Sequence, residues 1–302
     1  MEAMQKLLSN CTLCPRNCGA NRLAGQTGYC GMPAQVHAAR AALHLWEEPC
    51  LTGSTGSGTV FFSGCNMKCV FCQNHDIAIG ETGKEITVSR LAEIFLELQQ
   101  KGAANINLVT PTHYIPQIRE ALILAKGNDL HLPIVYNTGG YEKKEALQLL
   151  DGLIDIYMPD MKYYSPELST RYSFAPDYFT MACNALSEMY RQTGVCTFDE
   201  QGIMTQGVLV RHLILPGQTK DSKKILRYLH NTYGNNIWIS IMNQYTPLEH
   251  VSHIPELNRR VTDNEYERLI DYAIRLGIEN AFIQEGETAE ESFIPPFNLE
   301  GV

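Results

Sequence analysis

The sequence of 302 residues contains few charged side chains and no long apolar run. Charged residues make up 19% of the chain, and 24 Lys and Arg stand against 33 Asp and Glu, which gives a formal net charge of −9. The overall basic charge that is typical of proteins binding nucleic acid or anionic lipid is therefore absent. No stretch approaches the ~20 consecutive apolar residues of a transmembrane helix. We accordingly predict neither a nucleic-acid partner nor a membrane partner.

The first residues also lack the apolar segment of a secretory signal, since residues 1–11 read MEAMQKLLSNC. We therefore expect a cytoplasmic protein, whose thiols stay reduced. Hydrophobic residues make up 44% of the chain, which is enough for an ordinary core without disulfides. The chain nevertheless has ten cysteines, most of them within residues 11–72. Metal binding explains this crowding, whereas disulfide bonding in a reducing compartment would not.

Short apolar segments alternate with amphipathic ones from residue 58 onward. In one example, Leu91, Ile94, Phe95 and Leu98 have the spacing of a buried helix face that follows a Ser89 cap. The predicted strands lie at 58–64, 106–110, 133–137, 153–158, 208–215, 237–242 and 281–284.

This alternation predicts an α/β fold of right-handed βαβ units around a parallel sheet. Either a partial barrel or a doubly wound sheet fits, because periodicity does not give the strand order. In both layouts ligands bind at the carboxyl ends of the strands. The first residues differ, because residues 11–31 are rich in Cys and Gly and could not bury a core of their own. We predict a metal-binding module at 1–50 and a catalytic domain at 51–302.

Three cysteines follow the first predicted strand with the spacing C-x3-C-x2-C, namely Cys65, Cys69 and Cys72. Three thiolates on one loop can converge on one metal centre. A structural zinc ion or a fully ligated iron–sulfur cluster would need a fourth ligand. A 4Fe–4S cluster held by these three alone would keep one iron open, as catalytic metal sites do. The alternative is a structural zinc site completed by a residue from elsewhere in the chain.

With Phe71 as the aromatic residue before the third cysteine, this loop resembles the signature of the radical S-adenosylmethionine (radical SAM) superfamily. More narrowly, the chain is similar to uncharacterised iron–sulfur proteins related to pyruvate formate-lyase activating enzyme. The segments that carry this resemblance are FFSGCNMKCVFCQN, VYNTGG, YMPDMK, VRHLILPG and NQYTP.

The resemblance implies a partial (β/α)6-type barrel with the cysteine-rich module at its N-terminus. It also implies that Cys65, Cys69 and Cys72 are the catalytic ligands of a 4Fe–4S cluster, whose open iron binds the methionine part of S-adenosylmethionine. Reductive cleavage of that cofactor and abstraction of a hydrogen atom from a substrate would follow.

The resemblance further implies which strand-end residues contact the cofactor. The family's Gly-Gly-Glu segment corresponds here to residues 110–113, TPTH, so Thr110 and Thr112 either replace its contacts or form an ordinary turn. Arg211 is expected to bind the methionine carboxylate, because a buried guanidinium needs an anion; an internal salt bridge is the alternative. The expected cofactor-binding residues are Phe71, Thr110, Thr112, Asn137, Thr138, Asp160, Lys162, Arg211 and Tyr245.

A second group, Cys11, Cys14, Cys18 and Cys30, has the spacing C-x2-C-x3-C-x11-C. Four thiolates can close a zinc site, and metal binding would then supply folding energy to a segment without a core. An auxiliary iron–sulfur cluster would also fit, although zinc is slightly favoured, and free thiols are the remaining alternative.

The resemblance to activating enzymes implies a protein substrate, such as a glycyl residue of a partner enzyme. It also implies a reductant such as flavodoxin or ferredoxin. The alternative function is a non-catalytic iron–sulfur electron carrier or a zinc-stapled adaptor protein. Formation of 5′-deoxyadenosine after reduction would distinguish the enzyme from these alternatives.

Overall fold

A computed structural model of the protein describes residues 2–284 and 295–302, with side chains for 5–284 and 295–302. The strands are β1 Val36–His44, β2 Ser57–Phe62, β3 Lys84–Ile86, β4 Ile106–Val109, β5 Ile134–Thr138, β6 Ile156–Pro159, β7 Thr197–Phe198, β8 Met204–Leu213, β9 Trp238–Met242 and β10 Ala281–Ile283. The helices are α1 Glu2–Ser9, α2 Pro49–Thr52, α3 His75–Ile79, α4 Val88–Gln100, α5 Ile115–Lys126, α6 Lys144–Leu147, α7 Pro166–Ser173, α8 Tyr178–Thr193, α9 Thr219–Tyr233 and α10 Asp263–Leu276.

The strand order identifies the architecture. Strands β2, β4, β5, β6, β8, β9 and β10 are neighbours in this order, and each pairs in parallel with the next. A doubly wound sheet would instead reverse its strand order at a switch point. The predicted partial barrel is therefore confirmed, and the doubly wound alternative was wrong. Strand β1 pairs antiparallel with β2, β3 pairs with β1, and β7 pairs with β8.

Side chains alternate between the two faces of the sheet, as the pleat requires. On β5, Ile134 and Tyr136 belong to the large outer core beneath the helices, whereas Val135 belongs to a separate inner cluster. This inner cluster fills the amino end of the barrel with apolar side chains. Its buried members are Cys50, Leu51, Val135, Ile156, Met158, Met204 and Leu209.

The helix α4 illustrates how closely the local pattern predicts an element. Leu91, Ile94, Phe95 and Leu98 are all buried, as their spacing predicts. The N-cap prediction was wrong, because the hydroxyl of Thr87, not that of Ser89, accepts the hydrogen bond from the Arg90 N–H. None of the helices in the described part of the chain is both long and apolar enough to cross a membrane.

The N-terminal segment before β1 is largely irregular and is fixed to the barrel by Arg22. This residue is completely buried, and its guanidinium donates to the carbonyl oxygens of Met32, Pro33 and His113. His113 follows β4, so the contact joins the cysteine-rich segment to the carboxyl end of the sheet. The predicted domain boundary at residue 50 stays a prediction.

Candidate active site at the carboxyl ends of the strands

The cysteine loop leaves β2 through Gly64, which packs against the N-terminal segment. Gly64 has a φ of +85°, and a Cβ added here would lie 2.8 Å from the carbonyl oxygen of Cys30 and 2.3 Å from Cγ of Met32. Only glycine meets both the left-handed backbone and the lack of space. The start of the cysteine loop and the last cysteine of the N-terminal group are thus in direct backbone proximity.

A cavity of about 220 Å³ opens where this loop meets the carboxyl ends of the parallel strands. Most of the residues predicted to bind a cofactor line it, although they come from different strands. They are Cys65, Cys69, Phe71, Cys72, Thr110, Asn137, Thr138, Asp160, Lys162 and Arg211. Gln244, which follows β9, also lines the cavity and was missed in the sequence.

The three thiols of the loop are held in distinct environments. The Met67 N–H donates to Sγ of Cys65 at 3.3 Å, and the Ser173 hydroxyl donates to Sγ of Cys69 at 2.9 Å. Burial raises the pKa of Cys65 and of Cys72, and the proximity of the Cys69 thiol adds to the effect, while the charge of Lys162 opposes it. Such thiols stay protonated until a metal binds, and coordination then deprotonates them. The donor set therefore suits a metal centre.

The spacing of these thiols bears on which centre they fit. Within residues 5–284 and 295–302, no three His, Cys, Asp or Glu side chains form a group that could hold a metal ion. A single zinc ion needs its ligands within about 2.3 Å, so they crowd together. In an iron–sulfur cluster, by contrast, each cysteine binds a separate iron and the thiols stand further apart. Which of these centres Cys65, Cys69 and Cys72 would hold stays a prediction.

Opposite the thiols, Asp160 pairs with two cations. Its carboxylate accepts from Nζ of Lys162 at 2.6 Å and from Nε of Arg211 at 3.1 Å. Burial opposes ionisation of Asp160, but the charges of Lys162 and Arg211 outweigh it and keep its pKa below the usual range. Burial likewise acts to lower the pKa of Lys162, and the Asp160 carboxylate outweighs it and raises that pKa. All three side chains are therefore charged at neutral pH.

Arg211 continues this polar chain into the barrel. Its Nη2 donates to Oδ1 of Asn137 at 2.7 Å, and its Nη1 lies 3.6 Å from Oε2 of Glu47. The internal salt bridge, which was the alternative expectation for Arg211, is thus present. The contact with a methionine carboxylate stays a prediction. Glu47 was missed in the sequence; the signal was a pair of acids, Glu47 and Glu48, between apolar neighbours in LWEEPC.

The ends of β4 and β5 are tied together by a buried carboxylate that the sequence analysis missed. Oε1 of Glu142 accepts hydrogen bonds from the hydroxyls of Thr112 at 2.6 Å, Thr138 at 2.5 Å and Tyr136 at 3.3 Å. Burial raises the pKa of Glu142 to about 7, against the effect of these hydroxyls. Thr112 therefore supports Glu142 and does not line the cavity. No local pattern marks Glu142, because its partners belong to two different strand ends.

Thr110 has an unusual backbone at the same place. Its φ is +59°, a left-handed conformation that β-branched residues rarely adopt, and its N–H donates to the carbonyl oxygen of Asn137 at 2.9 Å. Strained residues of this kind cluster at functional sites.

Tyr245 lies behind the cysteine loop and is not among the residues that line the cavity. Its ring packs edge to face against Phe71 with centroids 6.1 Å apart, and its hydroxyl donates to the carbonyl oxygen of Leu257. Tyr163 and Tyr172 complete an aromatic cluster around Phe71. A contact between Tyr245 and the adenine or ribose stays a prediction.

In the N-terminal group, Cys11, Cys14 and Cys30 are buried and Cys18 is exposed. Burial raises the pKa of Cys14 to about 12, and the charges of Cys30 and Cys11 contribute, so these thiols lie near one another. They do not form a group tight enough for a single metal ion within the described residues. A zinc ion or auxiliary cluster at this group stays a prediction.

Comparisons with known proteins agree with this geometry. Residues 59–229 match the model of the Radical SAM superfamily. An uncharacterised protein of Methanocaldococcus jannaschii is 28% identical over 92% of this chain and 78% of its own length.

Three solved structures have a similar fold, although their sequences are distant. Native anSMEcpe with bound AdoMet (S-adenosylmethionine) has a TM-score of 0.50 and 12% identity, over 70% of this chain and 57% of that one. Streptococcus suis SuiB bound to the precursor peptide SuiA has a TM-score of 0.51 and 14% identity, over 74% of this chain and 47% of that one. Methylornithine synthase has a TM-score of 0.51 and 19% identity, over 79% of this chain and 63% of that one. The chain thus spans about half to two thirds of the length of these structures.

Proposed function

This chain belongs to the radical SAM superfamily, and from that membership we propose that it is an enzyme carrying a 4Fe–4S cluster on Cys65, Cys69 and Cys72. The observation that carries the proposal is the cavity in which these thiols face Asn137, Thr138, Asp160, Lys162 and Arg211. When bound and reduced, such a cluster supplies the electron that cleaves S-adenosylmethionine to methionine and a 5′-deoxyadenosyl radical. That radical would abstract a hydrogen atom from the substrate.

The side chains around the cavity have separate tasks in this proposal. Asp160 holds Lys162 and Arg211 in fixed positions, so that two cations face the cofactor without having to reorganise. The polar ends of β4 and β5, tied together by Glu142, form the wall that positions the methionine part. The aromatic cluster around Phe71 excludes water from the back of the loop. The structures of anSMEcpe and SuiB with bound AdoMet support a cofactor of this class.

The proposal is tested by anaerobic reconstitution with iron and sulfide, reduction with dithionite, and measurement of 5′-deoxyadenosine. We expect the product from the wild-type protein and only background from the Cys69→Ala variant. Cys183→Ala is the matched control, because Cys183 lies on α8 outside the cavity and should keep the activity.

Two outcomes would contradict the proposal. A reduced cluster that forms no 5′-deoxyadenosine would favour the non-catalytic electron carrier. Protein that binds zinc but no cluster at Cys65, Cys69 and Cys72 would favour the zinc-stapled adaptor. Flavodoxin or ferredoxin should replace dithionite if either is the class of physiological donor.

For the substrate, we propose a polypeptide, in keeping with an activating enzyme for a glycyl-radical protein. Support comes from two structural neighbours, since anSMEcpe and SuiB have been solved with bound peptides. The test is incubation of the reduced enzyme with a candidate glycyl-radical partner and electron paramagnetic resonance detection of the glycyl signal. An absent signal with partners that other activating enzymes do activate would contradict this substrate.

For the N-terminal group, we propose that Cys11, Cys14, Cys18 and Cys30 hold a second metal centre, either a zinc ion or an auxiliary cluster. The support is that three of these thiols are buried near one another and beside the cysteine loop. Iron, sulfide and zinc counts on the wild-type protein and on Cys14→Ser separate the two. If Cys14→Ser changes none of the counts, the group holds no metal.

A further inference from the structure

Two further cavities adjoin the cavity at the cysteine loop. A cavity of about 120 Å³ lies beside it and is lined by Glu47, Trp46 and Asn137. A third cavity, of about 280 Å³, lies between Trp46 and Phe282. Arg211 and Gln244 line all three cavities, so the cavities adjoin one another at these two side chains.

This third cavity lies where the β1–β2 connection meets the carboxyl ends of β9 and β10, since Glu48 lines one side and Gln244 and Gln284 line the other. Strand β1 runs antiparallel to β2, with His44 opposite Ser57, so the β1–β2 connection lies at the amino end of β2. The cysteine loop leaves β2 at its other end. Nevertheless, Nδ2 of Asn137 lies 3.5 Å from Oε1 of Glu47, within hydrogen-bond distance, so this connection reaches into the barrel.

The charges along this path are not balanced. The cavities are lined by three acids, Asp160, Glu47 and Glu48, but by only two cations, Lys162 and Arg211. Asp160 and Glu47 form ion pairs with these cations, whereas no ion pair among the described residues includes Glu48. Burial raises the pKa of Glu48, which is the cost of placing a carboxylate in this pocket, and the charge of Glu47 adds to it; the attraction of Arg211 and a hydrogen bond with Ser240 offset it only in part. A cation that reaches Glu48 would remove this cost.

The rim of the third cavity is apolar and exposed. Trp46 is 62% exposed and Ile283 is 44% exposed, and both line the opening beside Glu48. An acidic pocket with an aromatic rim suits a cationic group on an aliphatic stem, since the rim covers the stem and the carboxylate pairs with the charge.

We propose that this third cavity is where the substrate enters and that Glu48, with Glu47 behind it, binds an ammonium or guanidinium group of the substrate. The inference rests on the proposed function, because it takes the first cavity as the cofactor site. Two sources offer the same chemistry, namely a Lys or Arg side chain of a polypeptide and a free amine.

Trp46 provides a direct binding signal. The chain has two tryptophans, and in a Trp238→Phe background Trp46 is the only one. The reconstituted full-length protein with S-adenosylmethionine, but without reductant, is titrated with acetyl-Gly-Arg-Gly-amide. The neutral comparison is the same peptide with citrulline in place of arginine, and spermidine serves as the free amine.

We expect the arginine peptide to change the Trp46 fluorescence saturably and the citrulline peptide to bind at least about tenfold more weakly, as for a lost charged hydrogen bond. Glu48→Gln should remove most of that difference. Glu120→Gln, an exposed acid on α5, should preserve it. If spermidine binds and the arginine peptide does not, the source is a free amine and the cation site stands.

Equal binding of the arginine and citrulline peptides, or an unchanged preference in Glu48→Gln, would overturn the inference. If Glu48→Gln loses its circular dichroism, Glu48→Asp replaces it, and retention of the cation preference by Asp supports the site. Formation of 5′-deoxyadenosine is measured on the same preparations. If the protein prefers the arginine peptide but forms no 5′-deoxyadenosine, the proposed function is rejected and the cation site stands. If the protein forms 5′-deoxyadenosine but shows no preference for the arginine peptide, only the cation site is rejected.

Discussion

Nε of Arg16, in the N-terminal cysteine segment, donates a 2.7 Å hydrogen bond to the carbonyl oxygen of Asn66, in the middle of the cysteine loop. The same guanidinium donates to the carbonyl oxygens of Ser173 and Phe174 and lies 3.9 Å from the ring centroid of Tyr29. One side chain thus fixes the N-terminal segment, the cysteine loop and the end of α7 to one another.

Replacing Arg16 by Gln should therefore weaken the cysteine loop. Hydrogen bonds from a charged donor contribute about 1.5–3 kcal/mol each, and losing several of them should lower the free energy of unfolding by at least about 2 kcal/mol. Anaerobic denaturant titration measures this, and the iron content after reconstitution should fall as well. Arg227→Gln, on the exposed side of α9, is the control. Equal iron content and stability in the two variants would contradict the role of Arg16.

Replacing Ser173 by Ala should shift the reduction potential of the proposed cluster. The Ser173 hydroxyl donates to Sγ of Cys69, and hydrogen bonds to cluster sulfurs stabilise the reduced state. Its loss should lower the potential by up to about 60 mV, the one-electron equivalent of ~1.4 kcal/mol. A redox titration followed by electron paramagnetic resonance measures the shift. Ser169→Ala, on the same helix but bonded to the Pro166 carbonyl, should leave the potential unchanged.

The buried Glu142 should make stability depend on pH. Its carboxyl has a pKa of about 7 in the folded protein against 4.5 in the unfolded chain, so the folded state binds the proton more tightly. This stabilisation is present below about pH 4.5 and is lost as the pH rises through about 7, at ~1.4 kcal/mol per unit of pKa difference. The contribution between pH 5 and pH 8 is about 2.5 kcal/mol.

Glu142→Gln is the test, because it replaces the carboxyl by a neutral group of the same shape. The free energy of unfolding of the wild type should fall between pH 5 and pH 8 by about 2.5 kcal/mol more than that of the variant. Glu120→Gln, an exposed acid, should behave like the wild type. Parallel pH profiles for wild type and Glu142→Gln would show that folding does not raise the pKa of Glu142.

Replacing Asp160 by Asn should leave the Lys162 and Arg211 side chains without their shared anion. Removing one partner of a buried ion pair costs about 3–5 kcal/mol, because the other charge stays buried. The side chains of Asp160 and Lys162 are only 15% and 17% exposed. Denaturant titration should show this loss. Asp151→Asn, which breaks an exposed pair with Arg191, should cost less than about 1 kcal/mol.

The spacing of residues in the sequence predicted the βαβ units and the chemistry of the loop, and the resemblance to the radical SAM superfamily added the partial barrel. Strands such as β4 and β5 are short apolar segments, and the helix α4 shows its buried face in the spacing of Leu91, Ile94, Phe95 and Leu98. Cys65, Cys69 and Cys72 are close in sequence, so their convergence needs no knowledge of the fold. Placing Thr110, Asn137, Asp160 and Arg211 at one edge followed from the rule for parallel strands.

What only the tertiary structure decided are the contacts between segments far apart in the chain. Glu47 meets Arg211, Glu142 meets Thr112, and Arg16 meets Asn66, and no local pattern shows which partner each of these charged residues has. The tertiary structure also decided that Thr112 and Tyr245 support the wall of the cavity and do not line it. Local spacing determines which way a side chain faces on its own strand or helix. The order in which strands pair determines which side chains then meet, and that order depends on the packing of the whole chain.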